Sequence, residues 1–418
     1  MCRPKARQTR IRRSVALAVI AGIVCACGDS APDGWPADIE SLALTVLPGS
    51  AQPNLASGPG GELVLSWQEP AGDGTALRFA SFDGEAWSEA NTVATGDRWF
   101  VNWADFPSVV PIDGDYWAAH WLAKRDGGTY AYDVAVSVST DAGDNWSRAI
   151  TPHDDGTATE HGFVSLFPVD GKAGALWLDG RNTSPDDGHD HGGGGAMTLR
   201  SATIDHEQAL ADAALVDNRV CDCCQTDVAL AGTTPVAVYR NRDDGEIRDI
   251  YVSRLEDSGW TTGIPVADDG WEIAGCPVNG PAIAAHGEQL AVAWFTAAGN
   301  EPRVRYAASG SDGVFGTPTD VASGDTLGRV DLVILDDGGA IVSHLRNAGD
   351  GMAEVVLRRI APDGSAGDSL IVASTGAGRM SGFPQLARFN DNLIMAWTDT
   401  DASGSTLVRT ARLALPPQ

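Results

Sequence analysis

The sequence predicts an all-β chain forming a single β-propeller of four-stranded blades, with the ring closed by an N-terminal strand in the last blade. Three observations carry this. Apolar runs ending at Trp67, Trp121, Trp177, Tyr239, Trp294, His344 and Trp397 recur at roughly 50-residue intervals, the period of a propeller blade. Each run follows a shorter apolar stretch and a Gly or Asp turn, so each pair reads as the two inner strands of one blade. The 49 Gly and 22 Pro in 418 residues favour short strands and turns over long helices. The count gives seven blades, with six plus an appended hairpin as the alternative.

From the N-terminus, Arg3, Lys5, Arg7, Arg10, Arg12 and Arg13 precede an uncharged apolar run from Val15 to Ala26, the pattern of an export signal. The run ends Val24-Cys25-Ala26-Cys27, which resembles a bacterial lipobox. The expected organisation is a lipoprotein signal peptide over 1–26, acylation at Cys27, a tether over 27–40 and the propeller over 41–418. The protein is then exported and membrane-anchored, facing the periplasm or cell surface of a bacterium, and reaches the membrane through its lipid alone.

Within the body, third strands follow each inner pair at 76–82, 132–139, 196–204, 248–255, 303–309, 353–360 and 406–413, with alternating polar and apolar positions. The last unit stops after its third strand. The stretch Ser41 to Leu47 supplies the missing outer strand, and closure removes the sheet edges. The formal charge of -27 excludes unaided binding to nucleic acid. Removing residues 1–26 takes away six bases and no acid, and only Lys124 and Lys172 then remain as lysines. Cationic chemistry must come from arginine.

Ser139-Thr140-Asp141-Ala142-Gly143-Asp144-Asn145-Trp146 matches S-x-D-x-G-x-x-W, an Asp box with Ser139, Asp141, Gly143 and Trp146 at its defining positions. Eroded copies stand at 82–87, 256–260 and 309–313. On these residues the chain resembles the sialidase superfamily of Asp-box (BNR-repeat) propellers, and the repeat pattern covers the whole body. The resemblance implies an exo-α-sialidase-like glycoside hydrolase with three arginines on the substrate carboxylate, an Asp acid/base and a Tyr nucleophile activated by a Glu. The sequence departs from that pattern twice. Its first arginine after the signal is Arg78, outside any Arg-Ile-Pro-like motif, and no tyrosine follows Tyr306. Whether the chain is an enzyme is therefore left open.

One face of a propeller is built from residues just after the second strands and just before the first, and ligand sites collect there. Arg181, Arg240, Arg242, Arg329, Arg346 and Arg379 fall at that end. Guanidinium groups grip carboxylate, sulfate or phosphate in bidentate fashion. These arginines, with Asp105 and His161, are the expected ligand-binding residues for an anionic carbohydrate or other small anion. Glu160 and Asp179 are the candidates for acid/base catalysis.

Export makes disulfides the default for Cys221, Cys223, Cys224 and Cys276. A bond from the Cys221–Cys224 loop to Cys276 is expected, completed by a Cys221–Cys223 or a vicinal bond. The alternative is a soft metal site on these four thiolates with His161; no cofactor is otherwise expected. His189 and His191 lie in a polar, glycine-rich loop. The leading functional expectation is an exported, monomeric propeller that binds an anionic glycan, with its hydrolysis left open. The alternatives are a non-enzymatic scaffold for protein partners and a metal or redox protein centred on the cysteines.

Overall fold

The computed structural model describes residues 35, 36, 38–183, 195–310 and 313–415. The signal segment, Cys27, His189 and His191 lie outside the described residues. Seven antiparallel sheets follow one another along the chain. Blade 1 comprises Ala51–Ser57, Leu63–Ala71, Gly74–Ser81 and Asn91–Gly96; blade 2 comprises Ser108–Asp113, Tyr116–Lys124 and Tyr132–Ser139. Blade 3 is built from His161–Val169, Lys172–Asp179, Met197–Ile204 and Leu210–Val220. Blade 4 has Asp227–Ala231, Thr234–Arg240 and Ile250–Glu256 with two short outer pieces, Gly259–Trp260 and Ile264–Pro265. Blade 5 runs through Ala282–His286, Gln289–Thr296, Arg303–Ala308 and Thr319–Ser323; blade 6 through Thr326–Ile334, Ala340–Gly349, Met352–Ile360 and Ala366–Gly376.

Blade 7 combines Gln385–Phe389, Asn392–Thr400 and Thr406–Ala414 with the N-terminal strand Glu40–Leu42. Glu40 faces Arg412, and Leu42 faces Thr410. The closure expected from the sequence is therefore present. Two details differ. Blade 2 lacks a regular fourth strand, keeping only the Val136–Ile150 bridge. Residues assigned to the tether are docked: Trp35 is buried and its indole N–H donates to the Asp368 carbonyl at 3.0 Å. An indole this apolar finds more to bury between blades 6 and 7 than along a free tether.

Second strands are buried almost from end to end, as in Leu63–Gln68 and Tyr116–Leu122, because neighbouring blades cover both of their faces. Tryptophans that begin outer strands plug the seams. Trp87 of blade 1 donates to Thr410 Oγ1 of blade 7, and Trp260 of blade 4 to Ser201 Oγ of blade 3. Trp146 of blade 2 meets Phe79 of blade 1 edge-on at 5.9 Å. The turn before Trp146 is tied by Ser139 Oγ, which accepts from the Gly143 N–H, and by Asp141 Oδ1, which accepts from the Asn145 N–H.

Inner strands of adjacent blades diverge and cannot pair by backbone alone, so side chains accept their leading N–H groups. Asp105 accepts from Phe163, Asp227 from Ile283 and Asp331 from Leu386, at 2.7, 2.9 and 2.6 Å. Gln225 and Asn279 do the same for Gly280 and Arg329. These inner strands surround an axial cavity of about 500 Å³. At one end stand Asn54, Ser165, Asp227, Asp331 and Gln385, beneath Phe106 and Phe383; Gly58, Pro59 and Pro168 line the other.

Burial pushes the carboxyls of Asp105, Asp227 and Asp331 up to about 7, 6 and 8. A carboxyl whose folded-state pKa is raised binds protons more tightly in the fold than in the unfolded chain, so it costs stability as pH rises towards that value. The buried His120, His153 and His344 are lowered by burial to about 3, 4 and 4, and act in the opposite sense, but only below about pH 6.5, where the unfolded chain protonates. Between pH 6.5 and 8 the carboxyls decide the slope. Denaturant unfolding should show stability falling across that window. Asp331→Asn, which keeps a carbonyl oxygen for the Leu386 N–H, should remove about 1 to 2 kcal/mol of the fall.

Candidate functional site

The segment entering blade 2 does not stop at its own inner strand. Asn102 to Phe106 continue across the axis as a strap. Asn102 Oδ1 accepts from the Ala104 N–H, tightening the turn. The Ala104 carbonyl accepts from Gln225 Nε2 of the blade 4 entry at 2.7 Å. Trp103 stacks on Phe383 of the blade 7 entry at 5.9 Å, and the Arg329 guanidinium of blade 6 lies over the Trp103 ring at 4.7 Å. The strap therefore touches blades 4, 6 and 7, besides the bond Asp105 makes to Phe163 of blade 3, and covers one end of the axial cavity.

Behind the strap, Asp105 is almost fully buried. Its Oδ2 lies 3.3 Å from the Tyr132 hydroxyl, which donates to Glu160 Oε1 at 2.5 Å. Phe100 stacks on the Tyr132 ring at 4.1 Å, and Tyr132 has no exposed surface. Glu160 is half-buried. Burial pushes its carboxyl up to about 8, against the Tyr132 hydrogen bond and with the charges of Asp105 and Asp222. A carboxyl in that state holds a proton at neutral pH and can donate it. Gly162 permits the arrangement, since a Cβ there would stand 2.1 Å from Asp105 Oδ2 and 2.9 Å from the Tyr132 ring.

The other catalytic candidate behaves differently. Asp179 is fully buried and takes a bidentate pair from Arg181 at 2.7 and 2.8 Å, plus the Trp177 N–H at 2.9 Å. Burial opposes its ionisation, but Arg181 and Trp177 outweigh it and hold the carboxyl below its ordinary range. Every strong donor near Asp179 is committed to the fold, which sets it apart from Glu160.

Beside that pair, His153 and His161 stack face to face at 3.8 Å between Asp133 and Asp155. Asp133, His153 and His161 are spaced as metal ligands are, and so are Asp155, His161 and Asp179. Neither group suits a metal well. Imidazole lone pairs lie in the ring plane, so two parallel stacked rings cannot converge on one ion. In the second group Arg181 Nη2, 2.8 Å from Asp179 Oδ2 and 3.4 Å from Asp155 Oδ2, already supplies the cation.

The structure pairs Cys221 with Cys224 and Cys223 with Cys276. The expected bond to Cys276 is present and joins the entries of blades 4 and 5. Its companion is neither the Cys221–Cys223 nor the vicinal bond expected, because the turn brings Cys224 rather than Cys223 back to Cys221. With all four sulfurs oxidised, the alternative thiolate site with His161 has no thiolate left, and His161 lies in the histidine stack instead.

The arginines divide by partner. Arg242 pairs with Asp222 and Glu246, and Arg346 with Glu354 at 2.6 Å. Arg240 is 2 % exposed and donates to the carbonyls of Asn279, Arg248 and Phe295, with Trp271 beneath it at 4.9 Å. It is a framework residue, where the sequence suggested a ligand contact. Burial pulls its pKa down to about 10 without freeing it from its carbonyls.

Arg329 and Arg379 are the exceptions. Arg329 Nη1 donates to the Gly378 and Gly382 carbonyls and to Ser381 Oγ. No carboxylate pairs with Arg329 among the described residues, and burial together with the Arg379 charge lowers its pKa to about 10. Arg379 is exposed on a short 3-10 turn, and its guanidinium has no hydrogen bond or ion pair among the described residues.

Sequence reasoning singled out Glu160, Asp105, Arg329 and Arg379 but missed Tyr132, His153, Asp155, Gln225 and Phe383 as their partners. Tyr132 opens the third strand of blade 2 and forms a parallel bridge with Glu160, a register that spacing alone does not reveal.

No protein-family model and no curated protein matches the chain. Among solved structures, it is similar to a protein of unknown function from Dyadobacter fermentans DSM 18053, at 12 % identity over 90 % of this chain and 98 % of that one, with a TM-score of 0.52. It is also similar to the leech intramolecular trans-sialidase complexed with 2,7-anhydro-Neu5Ac (10 % identity, 85 % and 83 % covered, TM-score 0.49). A third is the Penicillium chrysogenum α-L-arabinanase complexed with arabinobiose (11 %, 90 % and 96 %, TM-score 0.45). The seven sheets form a seven-bladed β-propeller, and identities this low speak of fold alone.

Arg240→Ala should strip three buried carbonyls of their donor. The expected loss is about 3 kcal/mol or more, read as a fall of several degrees in the melting temperature of the purified chain.

Proposed function

We propose that this chain is an exported lipoprotein, anchored at Cys27, whose propeller engages an anionic saccharide on the strap-bearing face. One observation carries the reading: Arg329 and Arg379 stand side by side without a carboxylate among the described residues, in a chain of formal charge -27. Acids elsewhere in the structure claim Arg181, Arg242, Arg305, Arg388 and Arg412. Two neighbouring cations left without an acid are suited to a carboxylate or sulfate brought by a ligand.

Trp103 gives the same place an aromatic surface, with the Arg329 guanidinium over it at 4.7 Å. Aromatic rings with a charged neighbour suit sugars, which present apolar C–H faces and polar edges. The likeness of Ser139 to Trp146 to an Asp box agrees with a place among sugar-engaging propellers. Glu160 supplies the acid for processing the ligand, as a carboxyl that stays protonated near neutral pH on this face. Asp179, locked to Arg181, takes no part. Tyr132 is buried under Phe100 and does not serve as a nucleophile.

The test is calorimetry of the full chain against uronic acids, sialosides, sulfated sugars and their neutral analogues at low and high salt. Binding should favour the acidic sugars and weaken with salt. Arg379→Ala should reduce affinity roughly 10- to 100-fold with an unchanged melting temperature, because nothing else in the described fold leans on that guanidinium. Equal binding of neutral and acidic sugars, or full affinity in Arg379→Ala, would overturn the reading. Glu160→Gln should keep affinity while lowering any cleavage of the bound sugar on the order of 10²- to 10⁴-fold.

A further inference from the structure

We propose that Asp105, Tyr132 and Glu160 form a proton relay that resupplies the Glu160 carboxyl from a buried store behind the strap. The inference deepens the reading above and rests on its assignment of Glu160 as the acid. Its geometry is independent of any ligand.

Three contacts fix the direction. Asp105 Oδ1 is committed to the Phe163 N–H at 2.7 Å, which leaves Oδ2 as the oxygen that carries a proton. That oxygen is 3.3 Å from the Tyr132 hydroxyl. A phenol has one hydrogen, so it donates to one carboxyl and accepts from the other. The 2.5 Å contact to Glu160 Oε1 marks Glu160 as the acceptor and leaves Asp105 as the donor to the phenolic oxygen. Phe100 stacked on the ring and Gly162 beneath it hold the phenol in place and keep water away.

The step balances without any added reagent. As the Tyr132 O–H bond breaks and a bond forms at Glu160 Oε1, the Asp105 Oδ2–H bond breaks and its proton completes the phenol again. One proton has moved from Asp105 to Glu160, Tyr132 is unchanged, and no electron is transferred. The resting state favours it: burial keeps Asp105 half-protonated at about pH 7, and the Tyr132 hydroxyl is pushed far from ionisation by burial and by both carboxylates. Asp105 and Asp222 are the charged groups that act on Glu160, and Asp222 is held by Arg242. Asp133, next to Tyr132 in sequence, turns instead to Arg125 and His153.

Tyr132 and Asp105 act through Glu160 and are positioning residues, so the test needs a readout that a packing role would not move. The full chain, labelled with carbon-13 at Asp and Glu side-chain carboxyls, is titrated by NMR as wild type, Tyr132→Phe and Asp105→Asn. Asp105→Asn keeps an oxygen for the Phe163 N–H, and Tyr132→Phe keeps the stacked ring, so both variants should fold.

In the wild type the Asp105 and Glu160 signals should each show two linked inflections. Tyr132→Phe should narrow the separation between the two inflections, and Asp105→Asn should remove the second inflection from Glu160. Because the Asp105 charge also acts on Glu160 across space, some linkage should remain in Tyr132→Phe; a separation between the inflections unchanged from the wild type would overturn the relay. So would independent single inflections in the wild type. The acid role of Glu160 is judged separately: if Glu160→Gln leaves cleavage intact while the linked titration is present, the acid reading fails and the relay stands.

Discussion

The ring depends on how inner strands find acceptors for N–H groups near their starts at the axis. Inner strands splay from one another, so no ladder can supply them, and an unpaired N–H in so buried a place is costly. Asp105, Gln225, Asp227, Asn279 and Asp331 meet this demand by reaching one blade onward. Where the acceptor is an acid, its burial raises the carboxyl pKa. The joints of the ring are therefore also its store of protons that carboxyls keep up to near neutral pH. Asp105 belongs to both roles: one oxygen ties blade 2 to blade 3, and the other faces Tyr132.

A second consequence follows from the near absence of lysine. Arginine is the chain's main cation, and its planar fork can satisfy several acceptors at once. Arg240 gathers carbonyls from three segments, and Arg181 closes on both oxygens of Asp179. Such residues look like ligand contacts in a sequence, because they cluster at the same end of the blades as a ligand would. What separates them is whether an acid or a carbonyl already lies within reach. Acids hold Arg242 and Arg346, and carbonyls hold Arg240; Arg329 spends Nη1 on the Gly378 and Gly382 carbonyls but has no acid, and Arg379 has neither, among the described residues.

That distinction marks how far the sequence could be read. The blades were legible because burial on both faces forces a continuous apolar run in each second strand, and a run ending at Trp67 or Trp397 is visible without coordinates. Closure by a strand near Ser41 was legible from the unit that lacked a fourth strand. The plugging tryptophans were visible as Trp146 and its weaker copies at Trp87 and Trp260. A bond from the Cys221–Cys224 loop to Cys276 was legible as a staple between blade entries, but neither the choice of Cys223 for it nor the companion bond was, because both depend on the backbone path through Asp222. Tyr132 was invisible as a partner of Glu160: 28 residues separate them, and they meet only through a bridge between blade 2 and the strand leading into blade 3. The docking of Trp35 was hidden for a similar reason, its acceptor being the carbonyl of Asp368.

The strap gives these separate features one geometry. Because Asn102 to Phe106 cross the axis, the central cavity and the arginine-bearing face become two compartments, with Phe106 and Phe383 between them. Trp103 looks towards Arg329, while Asp105, two residues on, looks towards Tyr132 and Glu160. Trp103 and Asp105 thus bring an aromatic surface with its cation and a carboxyl with its phenol together on one short segment. A displacement of the strap would disturb both at once. Its middle is accordingly fixed from outside, by Gln225 on the Ala104 carbonyl and by the Asp105 bond to Phe163, two contacts made by different blades. A ring whose joints are made at the axis is the one architecture in which so short a segment can be held from three sides, and that is how the demand for inner-strand acceptors comes to position the chemistry of the face.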